Sequence, residues 1–152
     1  MKRKVVILRI NELRVHELIQ RKKVEELKED ILREGRIKRP ILVDENTLVV
    51  IDGHHRLQAL KELGCKFIPA LLVDYRSSDI CVEPWRDCDI ISKEDVIKAG
   101  LTGRPFPPKT SKHFIVCEGC KRHVEHLEGE FPVHLSMLGS STKHPRISSK
   151  LT

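Results

Sequence analysis

A chain of 152 residues suits one compact domain with a small appended module. Hydrophobic residues make up 39% but aromatics only 4%, so the core must rest on Leu, Ile and Val. A net charge of +6 favours anionic partners such as nucleotides, phosphorylated metabolites or nucleic acid. The basic residues are scattered, however, and charge alone does not make a DNA-binding protein.

In chain order, Lys4–Ile10 is a short β-branched run and predicts a strand. Residues 11–20 form a connector in which His16, Glu17 and Gln20 stand among apolar neighbours. Lys23–Glu34 predicts a helix, with Val24, Leu27 and Ile31 at three- and four-residue intervals and Gly35 as its stop. Two strands are expected at Ile41–Val43 and Thr47–Ile51, then a helix with Leu57, Leu60 and Leu63 inward and Gly64 at its end. Phe67–Val73 predicts another strand, and residues 76–89 an irregular stretch. Ser92–Gly100 predicts a short helix capped by Ser92, with Glu94 and Asp95 in its first turn. Residues 103–113 predict a loop rich in Gly, Pro, Lys and Thr. Residues 114–138 carry a Cys/His cluster, and 139–152 a loose polar tail.

No stretch approaches the roughly 18 apolar residues of a membrane span, and no signal peptide is expected ahead of the first strand. The five cysteines therefore point to thiols or a metal site in the cytoplasm rather than a disulfide framework.

The strongest local signal is a strand that ends in Ile51-Asp52-Gly53-His54-His55-Arg56 and turns at once into a helix. Gly53 permits the tight turn, and the first N–H groups of the helix then point outward without partners. With the positive end of the helix dipole they form a phosphate site. Arg56 adds a guanidinium fork, and His54 and His55 add further donors. Asp52 alone would repel a phosphate; magnesium bridging it to phosphate oxygens removes that conflict. The plainer alternative is a helix capped by Asp52 beside incidental surface histidines.

These residues, with Ala59-Leu60 and Leu63-Gly64, resemble the signature of the ParB/sulfiredoxin-like superfamily. The resemblance implies a compact α/β (α+β) domain, a short mixed sheet flanked by helices. His54 stands where sulfiredoxins carry a reactive cysteine, which argues against that activity. Three further segments are similar to the archaeal free L-serine kinases: His16-Glu17, the lone Trp85, and Pro107-Pro108-Lys109-Thr110-Ser111-Lys112-His113. The resemblance spans roughly residues 4 to 115 and implies a kinase domain over 1–115, followed by a Cys/His extension (116–138) and the tail (139–152).

That resemblance implies transfer of a phosphoryl group from ATP or ADP to the hydroxyl of free L-serine, giving O-phosphoserine. Glu17 would be the catalytic base. Asp52 would bind magnesium or orient the hydroxyl, and Gly53, His54, His55 and Arg56 would hold donor phosphates. His16, Trp85, Lys109, Thr110, Ser111 and His113 would surround the substrate. Glu17 could instead be a surface residue, Trp85 a core residue and Lys109–His113 an ordinary loop. The other function class is a ParB-type DNA- or nucleotide-binding regulator. Longer family members carry a large segment between the Trp region and the Pro-Lys-Thr loop; here one short helix stands in its place, and a homodimer is one way to close the site.

Cys117-Glu118-Gly119-Cys120 has the spacing of a zinc knuckle, with His126 or His134 to complete a structural zinc site and His123 nearby. Free thiols and surface histidines are the competing reading.

Overall fold

The computed structural model describes residues 4–86, 90–117 and 119–139, the Cys117 side chain excepted. Four strands form a mixed sheet: β1 (Lys4–Arg9), β3 (Ile41–Asp44), β4 (Val50–Asp52) and β5 (Phe67–Val73), in the order β1-β5-β3-β4. β5 runs antiparallel to β1 and parallel to β3, and β3 is antiparallel to β4. Helix α1 (Arg21–Glu34) packs against α2 (His54–Glu62) on one face. A two-residue strand, β2 (Arg36–Ile37), follows α1. The mixed sheet with flanking helices is the fold class that the sequence implies.

Side-chain alternation explains why the strand sequences read as unbroken apolar runs. Ile41, Val43, Val50, Ile68 and Ala70 enter a core with Val24, Ile31, Leu57 and Leu60. Leu42, Ile51, Leu71 and Val73 enter a second core on the opposite face with Tyr75, Ile80, Val96, Val124 and Leu127. A sheet covered on both faces keeps no polar side.

The second core is closed by a three-stranded sheet: β6 (Ile80–Pro84), β7 (Ser111–Cys117) and β8 (Cys120–His123), in the order β6-β7-β8 and antiparallel throughout. Helix α3 (Lys93–Thr102) lies between β6 and β7 in the chain, and the short α4 (Glu125–Glu128) follows β8. The last strand, β9 (Val133–His134), pairs with β2, and Leu135 and Leu138 bury in the first core.

Several boundaries depart from the sequence reading. Ile80–Pro84 is a strand within the stretch expected to be irregular, because β7 supplies its partner. Residues 111–113, expected in a loop, begin β7 for the same reason. The strand expected at 47–51 starts at Val50 and reaches Asp52. Ser92 and Asp95 form the expected cap by exchanging side-chain and backbone bonds, but α3 runs past Gly100 and ends at Gly103 (φ 72°). Gly100 is small because Val49 packs on it: a Cβ there would stand 2.8 Å from Val49 Cγ2. The tail beyond residue 139 lies outside the described residues.

Candidate active site

The cleft is built where three short segments meet the N-terminus of α2. Gly53, at φ 105°, is the N-cap of that helix, and no side chain caps it, so Asp52 does not serve as the cap. The first helical bond runs from Leu57 N–H to Gly53 O (2.9 Å), which leaves the N–H groups of residues 54–56 ahead of the hydrogen-bond ladder. Glycine is required here twice over. The backbone is left-handed, and a Cβ would meet Ile41 Cγ2 at 2.4 Å.

Residues 14–18 form the second wall, held in place by backbone bonds: Val50 N–H to Arg14 O (2.8 Å), Leu18 N–H to Phe106 O (2.7 Å), and Phe106 N–H to His16 O (2.8 Å). These bonds set Glu17 against the start of β7. Its Oε1 accepts from Ser111 N–H (3.0 Å) and Ser111 Oγ (2.9 Å), and its Oε2 from Lys109 N–H (3.1 Å). Lys109 adopts φ 57°, a strained conformation for a non-glycine residue, and in it donates that N–H to the carboxylate. Burial pushes the Glu17 carboxyl above its ordinary range, and the donors from Ser111 and Lys109 pull partly against that shift.

Three histidines form the floor. His16 Nδ1 lies 2.7 Å from Val50 O and its Nε2 3.2 Å from Ser111 Oγ, while His16 N–H donates to His54 Nε2 (3.2 Å). His113 Nε2 pairs with the Tyr75 hydroxyl at 2.7 Å. Burial drives His16 down to about 4 and His113 to about 3, and holds His54 well below its ordinary value. At neutral pH all three are uncharged hydrogen-bonding groups, so His113 offers a substrate no positive charge. His55 is the more open one, and its Nε2 accepts from Gln20 N–H at 3.0 Å.

The hollow so formed measures about 170 Å³ and is lined by ten of the expected site residues: His16, Glu17, Asp52, Gly53, His54, His55, Trp85, Lys109, Ser111 and His113. Trp85 is 47% exposed, which places it on the cleft wall rather than in the core. Lys112 and Lys109 stand over its ring, with Nζ 4.8 and 5.8 Å from the centroid. Thr110 is turned away: its hydroxyl donates to Pro107 O (2.7 Å), and it lines a separate hollow beside α3.

A broader groove of about 460 Å³ shares Lys23, Asp52, Gly53, His55 and His123 with this hollow and continues along α1 past Arg39 and Arg56. Arg56 is more constrained than a free phosphate fork. Its Nη1 donates to Pro40 O (2.6 Å), and its Nη2 reaches Asp52 Oδ2 (3.2 Å) and Glu128 Oε1 (2.9 Å). Burial and the adjacent Asp52 carboxyl push Glu128 upward. Asp52, although burial works against it, is held low by the neighbouring Glu128 carboxyl and by the Arg56 charge.

Motif reasoning missed Lys23 and His123, which line the cleft, and Glu128, which holds Arg56. Lys23 looked like helix surface and His123 like a zinc partner. For Glu128 the sequence carries no signal, since its partner Arg56 lies 72 residues away.

For magnesium, the donor set fits an ion arriving on nucleotide phosphates, which needs about one protein carboxylate. The Asp52 side chain is 29% exposed and lines both hollows. Among the described residues, no group of three or more His, Cys, Asp or Glu could hold a metal by itself. Cys120 is exposed and lies across the β7–β8 hairpin from Cys117, with Gly119 at φ 77° between them. His126 and His134 are exposed as well. No helix among the described residues is long and apolar enough to cross a membrane.

Comparison with known proteins agrees with this architecture. A "ParB-like protein" of Sulfolobus acidocaldarius is 45% identical over 56 residues, covering 37% of this chain and 28% of its own. The ATP-dependent L-serine kinase of Staphylothermus marinus is 35% identical over 104 residues, 63% of this chain and 41% of that protein. The ADP-dependent L-serine kinase of Thermococcus kodakarensis is 31% identical over 84 residues, covering 53% of this chain and 35% of its own. The chain thus spans less than half the length of these curated relatives. Among solved structures, a free serine kinase in complex with AMP superposes with a TM-score of 0.73 at 16% identity, covering 88% of this chain and 93% of that one. At that identity the likeness speaks for the fold. The model of the ParB N-terminal domain matches residues 2–82, more than half of the sequence, and the chain belongs to that family.

Proposed function

We propose that this protein transfers a phosphoryl group from ATP or ADP to the hydroxyl of free L-serine. The observation that carries this reading is the setting of Glu17. Its carboxylate is held by three backbone and hydroxyl donors, its pKa is raised by burial, and it shares one small hollow with Gly53, His54 and His55 at the start of α2, ahead of the helical hydrogen-bond ladder. A base beside a phosphate cradle is what hydroxyl phosphorylation asks of a protein. The names of the L-serine kinase relatives support the substrate class.

In this scheme the donor phosphates lie along the broader groove, against the N–H groups of residues 54–56 and near Lys23, His55 and His123. Magnesium, when bound with the nucleotide at Asp52, would neutralise phosphate charge. The acceptor occupies the small hollow, its carboxylate toward Lys109 and Lys112 and its carbon chain against Trp85. Glu17 takes the hydroxyl proton as the serine oxygen–phosphorus bond forms and the donor's terminal phosphoanhydride P–O bond breaks, releasing ADP from ATP or AMP from ADP. Ser111 and Lys109 keep the carboxylate aimed, and the neutral histidines below it hold the wall without adding charge. A hydroxyl of similar size on another small molecule would satisfy the same contacts, so serine is proposed on the strength of the relatives' names.

The test is phosphorus NMR on purified protein with magnesium, ATP or ADP, and L-serine. An O-phosphoserine resonance that disappears in Glu17→Gln supports the kinase. Absence of product with both donors, combined with retention of DNA or nucleotide hydrolysis, supports the ParB-type regulator instead; family membership and the ParB-like relative favour that second reading.

A further inference from the structure

Glu128 is a deeply buried acid beside the site that the scheme above leaves without a task. It is 4% exposed overall, its side chain is fully enclosed, and its Oε2 is buried with no hydrogen-bond partner among the described residues. Its Oε1 receives Arg56 Nη2 at 2.9 Å, and the same nitrogen lies 3.2 Å from Asp52 Oδ2. That nitrogen also sits over the glycine turn, since a Cβ on Gly53 would stand 3.1 Å from it. A buried carboxyl oxygen without a partner costs stability unless the group accomplishes something local.

We propose that Glu128 is a positioning residue for the phosphoryl donor, acting as a hydrogen-bonding clamp that fixes Arg56 and Asp52 on either side of the Gly53 turn. The proposal rests on the kinase reading and assigns the donor half of that site a residue from the C-terminal segment. With Nη1 on Pro40 O and Nη2 between two carboxyl groups, the guanidinium cannot swing into the groove. It presents a fixed positive charge beneath the N–H groups of residues 54–56. Both acids accept from the same Arg56 nitrogen, which ties Asp52 to Glu128 through the guanidinium. The clamp works through hydrogen bonds, so an amide at position 128 can replace the acid. Its carbonyl accepts from Arg56 as the Glu128 Oε1 does.

The experiment compares Glu128→Gln with Glu128→Met, which keeps the volume and removes the hydrogen bonds. Mg-ADP affinity is read by calorimetry, and KM for serine by steady-state kinetics. The clamp predicts an affinity for Glu128→Gln within about threefold of wild type. For Glu128→Met it predicts at least tenfold weaker Mg-ADP binding, about 1.4 kcal/mol, with KM for serine changed less than threefold. Equal donor binding in all three proteins overturns the proposal, as does a Gln variant as weak as the Met variant. Should Glu128→Met fail to fold, NMR of the Arg56 guanidinium in the wild type decides. Slow, resolved Nη signals support the clamp and freely rotating ones overturn it. Wild type that binds Mg-ADP yet makes no O-phosphoserine fails the kinase reading alone, a result distinct from loss of the donor effect.

Discussion

Ser111 donates both its backbone N–H and its hydroxyl to a single oxygen of Glu17, although 94 residues separate the two. The pair joins the wall before α1 to the first residue of β7, and it fixes the direction of the proposed base. Glu17→Gln keeps the shape and removes the basicity, so phosphoryl transfer is expected to fall by at least ~100-fold. Mg-ADP binding should stay unchanged, as calorimetry on the variant would show.

The same pair sets a pH dependence. Burial raises Glu17, and the Ser111 hydroxyl opposes that rise. A base must be ionised, so kcat/KM is expected to fall as pH falls through the Glu17 pKa. Ser111→Ala removes an opposing donor and should move this acid limb to higher pH. An acid limb that stays in place in Ser111→Ala would separate it from Glu17.

The histidine floor makes a third prediction, about stability. His16 is held at about 4 in the folded chain and titrates near 6.5 when unfolded. Between those values the unfolded state binds more protons, so stability rises with pH there. The contribution is complete above about pH 6.5 and is lost as the pH falls through the folded value near 4. It amounts to about 3 kcal/mol from His16, and His113 acts in the same direction. Urea midpoints measured between pH 7 and pH 4 should drop steeply, and His16→Gln should flatten the lower part of that curve.

Gly53 and Gly100 answer to different constraints. Gly53→Ala combines a left-handed backbone with a 2.4 Å clash against Ile41 and should cost about 3 kcal/mol. Gly100→Ala lies in regular helix, where alanine is otherwise favoured, yet Val49 is 2.8 Å from the new Cβ. A loss of about 1 kcal/mol is expected, where an open helical site would show a gain. Thermal melts of the two variants would check both values.

Chelation separates two metal roles. EDTA is expected to stop phosphoryl transfer by removing the nucleotide's magnesium, while leaving the melting temperature of the nucleotide-free protein unchanged. A fall in melting temperature, restored by zinc, would instead assign a structural site to the hairpin at Cys117 and Cys120.

The sequence was legible where local pattern and geometry coincide. Phe67–Val73 is a strand from end to end as expected, and Ser92 with Asp95 forms the expected cap. The Asp52–Arg56 motif also lies on a strand-to-helix turn, because Gly53 encodes that turn in a single residue. Elements that depend on a distant partner were hidden. Residues 80–84 become a strand only because residues 111–115 pair with them, and nothing in their own composition records it. Glu128 was invisible for the same reason, as was the turning away of Thr110 from the neighbouring Ser111.

The pairing of β7 with β6 therefore carries a practical consequence for dissecting the chain. A fragment ending at residue 82, the limit of the family match, would keep the phosphate turn and Glu17 yet lose Lys109, Ser111, His123 and Glu128. It would also lose the strand against which β6 is built. The end of the family match and the end of the proposed site fall at different places, and shortening the gene to the former should leave an anion cradle with nothing to aim Glu17.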